Sequence, residues 1–207
     1  MQLHRRDVVD KATQLLDDYG IADLTMRRLA RELNVSPGAL YWHFADKQAL
    51  LGAVADRILE PAAATVGHAQ WADRVHGICS GLRDALLSAT DGAELVSASF
   101  AAGKSARMAE ILERLTVAAI EAGIDAPHAG LAARTVLYYV LGFTADEQSR
   151  LQWDAAGALS NGQSVMATNP NGRFAFGLRL LVDGMSAQQP GGSRDHRVDP
   201  GIAVPAP

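Results

Sequence analysis

Apolar residues recur at helical spacing along almost the whole of this chain, and the alternating runs that mark strands are scarce. A chain patterned this way must bury one stripe of each helix against other helices, so the fold class is all-α. Its 207 residues are enough for one or two domains with a sizeable core. No window approaches the roughly 20 unbroken apolar residues of a membrane span, and the N-terminus lacks a signal-peptide pattern. The single Cys79 excludes an internal disulfide and a Cys-rich metal site. The expectation is a reducing, cytoplasmic setting with no membrane partner and no cofactor.

The first 60 residues divide into four short helices. Val8, Ala12, Leu15, Leu16 and Tyr19 share a stripe from Arg5 to Tyr19, and Gly20 is expected to stop that helix. Thr25 is placed to cap a second helix, Asn34 and Val35 form a tight turn, and Ser36 with Pro37 starts a third. Asp46 caps a fourth, which carries Leu50, Leu51, Val54, Ile58 and Leu59 until Pro61. Beyond Pro61 the helices are longer and Ala-rich, with apolar faces on 71–89, 104–123, 130–151 and 171–187. Residues 155–172 read as a long polar loop, and residues 188–207, rich in Pro and Gly, as a disordered tail. The expected division is therefore 1–60, 61–187 and 188–207.

The third helix carries Tyr41, Trp42, His43 and Phe44 side by side. An α-helix turns about 100° per residue, so four consecutive rings cannot all face one core. Leu40 and Phe44, four apart, can turn inward together onto Leu29 and Leu33, which leaves Tyr41, Trp42 and His43 outside. A helix, a tight turn and a capped second helix form a helix-turn-helix, whose second helix enters the DNA major groove. Gly38 and Ala39 keep its leading edge slim, and Arg27, Arg28 and Lys47 supply cations nearby. Net charge is −4, and eight Lys and Arg meet nine Asp and Glu in residues 1–60. Placement rather than bulk charge must therefore provide DNA affinity.

The run DLTMRRLARELNVSPGALYWHFADKQALL resembles the N-terminal domain of the TetR family, dimeric bacterial regulators that release DNA on binding a small ligand. The resemblance implies that Arg27, Arg28, Ser36, Pro37, Gly38, Ala39, Tyr41, Trp42, His43 and Lys47 face operator DNA. Members often carry Gln and Thr where Pro37 and Ala39 stand, so a different operator is implied. ALLSATDGAELV, LGFTADEQSRL and FAFGLRLLVDGM extend the likeness into the ligand-binding domain of the tetracycline repressors. This implies a homodimer formed through residues 129–141 and 174–186. The drug chemistry does not carry over: Val96 replaces the magnesium-holding histidine, Ile78 the ring-gripping amide and Leu82 the pocket aromatic. Asp146 alone matches the carboxylate on the metal's water shell, too little for magnesium. The implied effector site is a dry, metal-free pocket of Ile78, Leu82, Val96, Ser99, Phe100, Leu112, Leu115, Leu137 and Tyr138 beside Asp146.

A rival reading starts at Ala98, where a relaxed phosphate-loop pattern runs to Gly103, Lys104 and Ser105. It needs a buried strand before the loop so that backbone N–H groups and the Lys can cradle phosphates. Elsewhere the residues give no catalytic constellation: six histidines show no ligand spacing, and Asp17, Asp18, Asp146 and Glu147 read as solvated charges.

Overall fold

The computed structural model describes residues 3–63, 70–159 and 169–188. Among them lie nine α-helices and one short 3-10 turn, with no strand. Half of the polar loop expected at 155–172, and the tail almost wholly, lie outside the described residues.

Helix α1 spans Arg5–Asp23, opened by the His4 N–H donating to Asp7 Oδ2 at 2.9 Å. Val8, Val9, Ala12, Leu15 and Leu16 are buried, whereas Tyr19, expected on the same stripe, is half exposed. Gly20 does not end the helix: it kinks it, at φ 76° and ψ 174°, and one more turn follows to Asp23. Only glycine adopts that backbone cheaply, and a Cβ there would lie 2.7 Å from Asp91 Oδ2. The same oxygen accepts the Ile21 N–H that the kink releases, at 2.9 Å.

Helices α2 (Met26–Glu32), α3 (Pro37–Tyr41) and α4 (Lys47–Ile58) begin at the expected caps. Thr25 Oγ1 accepts the Arg28 N–H at 3.1 Å, Ser36 Oγ that of Ala39 at 3.3 Å, and Asp46 Oδ1 that of Ala49 at 2.6 Å. Between α2 and α3 the turn passes through Asn34 at φ 54°, a left-handed conformation that Asn tolerates. α3 proper ends at Tyr41, although the Phe44 N–H still donates to the Leu40 carbonyl at 3.0 Å.

The remaining helices are α5 (Trp71–Leu87), α6 (Gly92–Ala101), α7 (Ala106–Glu121), α8 (Ala126–Ala155) and α9 (Pro170–Ser186). Ala98 sits inside α6, so the strand a phosphate loop requires is replaced by a helix. Ser105 is instead the buried N-cap of α7, its Oγ accepting the Met108 N–H and donating to Asp56 Oδ1 at 2.7 Å. The nucleotide-binding reading is overturned on this geometry. Asp56 also accepts the Arg107 N–H at 3.1 Å, so α4 helps to cap α7. A second joint ties the end of α1 to the α5–α6 loop and to α8. Thr90 N–H donates to Asp17 Oδ1 at 3.1 Å, and Gln152 Nε2 donates to Asp91 Oδ1 at 2.7 Å.

Where α5, α8 and α9 meet, Arg83 and Glu147 pair in the core, 8% and 6% exposed. Arg83 Nε and Nη2 donate to the two Glu147 oxygens at 2.8 and 2.6 Å. Glu147, expected in solvent, is thus a buried anion. The Arg83 guanidinium also lies 5.0 Å from the Phe174 ring centroid, and Tyr139 donates to the Phe174 carbonyl at 2.8 Å. Burial pushes the Tyr139 hydroxyl above its ordinary value, against the opposing pull of Arg83 and Arg173.

Cys79 lies fully inside the α5 face, and burial alone raises its thiol to about 12. Its thiolate is the reactive form, so iodoacetamide at pH 8 should leave the folded chain unmodified and alkylate the unfolded chain. The linkage has one sign. With a raised folded value the contribution to stability is complete below the ordinary thiol value of 9.0 and is lost as pH climbs from there towards 12. Denaturant titrations between pH 8 and 11 should show that decline, and a Cys79→Ala chain should lack its thiol share.

Candidate nucleic-acid interface

The reading surface is built from α2, the Asn34 turn and α3, with Lys47 opening α4. Leu40 and Phe44 are sealed in the core, Phe44 at 2% exposure, next to the buried Leu29 and half-buried Leu33. That pair fixes the rotation of a helix too short to be stable alone. Turned outward are Tyr41, 52% exposed, and Trp42, 88% exposed. Ser36, Pro37 and Gly38 are exposed beside them, Ala39 and His43 are half-buried, and Arg27 is exposed on α2. Lys47 is half-buried at the first position of α4. Such a face can donate to phosphates from the Tyr hydroxyl, indole N–H, imidazole and ammonium, and lay rings against sugars and thymine methyls.

Arg28 sits differently from the other cations. Its guanidinium is bonded to Asp23 at 2.7 Å and lies 3.7 Å from the centroid of Tyr19, so it locks α2 onto the end of α1. Helical spacing predicts neither partner, because both belong to the segment around the Gly20 kink. Another residue the pattern did not single out is Arg5. Its Nη1 donates to the His43 carbonyl at 3.4 Å and its Cζ stands 4.4 Å from the Phe44 centroid. Arg5 therefore steadies the end of the α3 turn from across the module.

The effector candidates divide into two sets. Phe100, Leu112 and Tyr138 line a groove of about 870 Å³ between α6, α7 and α8, in company with Glu113, Thr116 and Arg134. Ile78, Leu82, Val96, Leu115 and Leu137 do not open into it; they are close-packed in the core. Helical spacing made them inward-facing, but facing helices pack without the void a ligand needs. Ser99 is buried with an unbonded Oγ. Asp146 points away from the core and pairs with Arg150 Nε at 2.8 Å, the (i, i+4) neighbour that takes up its charge.

An exposed aromatic reading helix on a helix-turn-helix, joined by side-chain caps to a helical body, defines a DNA-binding transcriptional regulator. Residues 8–54 match the family model for bacterial regulatory proteins of the tetR family, and residues 64–189 that for the tetracyclin repressor-like C-terminal domain. The chain belongs to the TetR family. It is 30% identical to the Escherichia coli tetracycline repressor protein class C, over 89% of this chain and 91% of that repressor. The crystal structure of Mycobacterium smegmatis BioQ superposes with a TM-score of 0.85 and 61% identity, over 90% of this chain and 99% of that one. A crystal structure of BioQ with its double-stranded DNA operator gives 0.79 and 59%, with the same coverage. Among the described residues no helix is long and apolar enough to cross a membrane.

Proposed function

We propose that this chain is a cytoplasmic, homodimeric repressor that binds a palindromic operator and releases it when a small molecule occupies the C-terminal body. Residues 1–60 read DNA, residues 61–187 bind the ligand and dimerise, and no catalytic role is assigned. The observation that carries the reading is the outward pair Tyr41 and Trp42 on a capped helix held by Leu40 and Phe44. The operator complex of its relative BioQ supports the same use of that face. Arg27, Ser36, Pro37, Gly38, Ala39, Tyr41, Trp42, His43 and Lys47 are assigned to DNA. Arg28 is assigned to holding α2 in place. Pairing of two copies is supported by Leu131 on α8 and Phe176 and Leu180 on α9, large apolar side chains left exposed on a single chain. A twofold dimer would set two α3 helices in successive major grooves, about 34 Å or more apart.

Selection of bound duplexes from a random-sequence pool tests this directly. The full-length protein should enrich an inverted repeat with half-sites about one helical turn apart, and affinity for it should fall steeply with salt. Enrichment of no sequence, or of a single half-site by a monomer, rejects the proposal.

A further inference from the structure

We propose that the trough along α6 and α8 binds a straight-chain aliphatic monocarboxylate, and that this molecule is the effector. The inference rests on the repressor reading above and names the ligand for it. The groove at Phe100 and Arg134 continues into a second of about 670 Å³, because the two share Ser97, Ala101, Tyr138 and Leu141. Adjoining along α6 and α8, the two would together hold one elongated ligand.

Its chemistry changes along its length. At one end stands Arg134, its guanidinium carbon 5.6 Å from the Phe100 ring centroid. Arg134 is exposed, and among the described residues no carboxylate pairs with it. A lone guanidinium at the mouth of a partly apolar groove matches a planar carboxylate in charge and in its fork of donors. Glu113 lines the same end and has no ion-pair partner among the described residues, so its charge opposes a dianion more strongly than a monoanion. That combination selects one carboxylate over a phosphate monoester.

Further along, Ala98, Ala101, Leu141, Gly142 and Ala145 make much of the wall apolar, with Glu94, Ser97 and Ser149 as its polar members. From Arg134 to Ala145 the helix rises roughly 16 Å, room for an extended alkyl chain. The channel then ends at Gln148, Gln152 and Asp91. There Asp91 also holds the Ile21 N–H of α1. A chain long enough to reach that end presses on the joint between the body and the DNA-reading module.

The test is calorimetric titration of the full-length protein with hexanoate, octanoate and decanoate, with 1-decanol and decyl phosphate as head-group controls. Affinity should tighten about three- to fourfold per added methylene. The alcohol and the phosphate should each bind about tenfold or more weakly than decanoate. Arg134→Gln should weaken decanoate by at least about tenfold and leave 1-decanol unmoved. At Gly142 an added Cβ meets open space, so Gly142→Leu keeps the fold, fills the channel and should abolish binding. Decanoate should also lower the affinity for the selected inverted repeat.

Absence of carboxylate binding overturns the proposal, as does binding indifferent to chain length, to Arg134→Gln or to Gly142→Leu. Binding that leaves DNA affinity unchanged removes the effector role and overturns it equally. Enrichment of an inverted repeat by protein that binds no carboxylate refutes this ligand alone. Failure to enrich any repeat refutes the repressor reading instead.

Discussion

A Tyr41→Ala protein should melt like the parent yet bind its operator about thirtyfold to a thousandfold more weakly. Half of Tyr41 is in solvent and no core contact depends on it, because Leu40 and Phe44 fix the helix. The loss falls on DNA alone. A hydrogen bond to a charged group contributes about 1.5–3 kcal/mol; at the low end for a half-exposed phenol, about 1–2 kcal/mol is lost at each half-site of a twofold dimer. Fluorescence anisotropy with the selected duplex measures the effect, and thermal unfolding checks the fold. Lys47→Ala should weaken all sequences alike and reduce the salt slope by about two, one phosphate per protomer. Unchanged operator binding in both variants would mean that this face does not read DNA.

Arg83→Met alone should cost about 3–5 kcal/mol of stability, the largest effect expected of a single substitution in the body. The side chain it removes is the sole described ion-pair partner of a Glu147 carboxylate left almost without solvent. The uncompensated anion, rather than lost attraction, is what destabilises. The double variant Arg83→Met, Glu147→Leu should therefore recover most of the deficit, since two apolar groups of similar size can pack where the ions did. Urea titrations of wild type, both singles and the double close the cycle. A double variant no better than Arg83→Met would show that the pair, and not the stranded charge, carries the stability.

What could be read from the sequence was local. Thr25, Ser36 and Asp46 cap the helices they precede because a cap needs only its own next three residues. The division of the aromatic run followed from helical rotation. Features that depend on distant partners were not legible. Gly20 reads as a stop, and the kink there is accommodated by Asp91, seventy positions beyond Ile21, which receives the freed Ile21 N–H. Glu147 reads as solvated until Arg83, sixty-four positions away, is brought beside it. Arg28 reads as a free cation for a nearer reason: Tyr19 and Asp23 hold it across the Gly20 kink, which helical spacing does not anticipate. Which effector candidates line an open groove was not legible for a different reason. Periodicity shows that Ile78, Leu82, Val96, Leu115 and Leu137 face inward, but whether inward faces leave a gap depends on how whole helices meet.

The brevity of α3 bears on how such a regulator can change its target over generations. Within it and its following turn, only Leu40 and Phe44 belong to the sealed interior. Pro37, Gly38, Tyr41 and Trp42 are free of packing duties, so mutation can redraw the recognised base sequence at little cost to folding. Lineages sharing this scaffold can thus diverge in the genes they control while the rest of the molecule stays as it is.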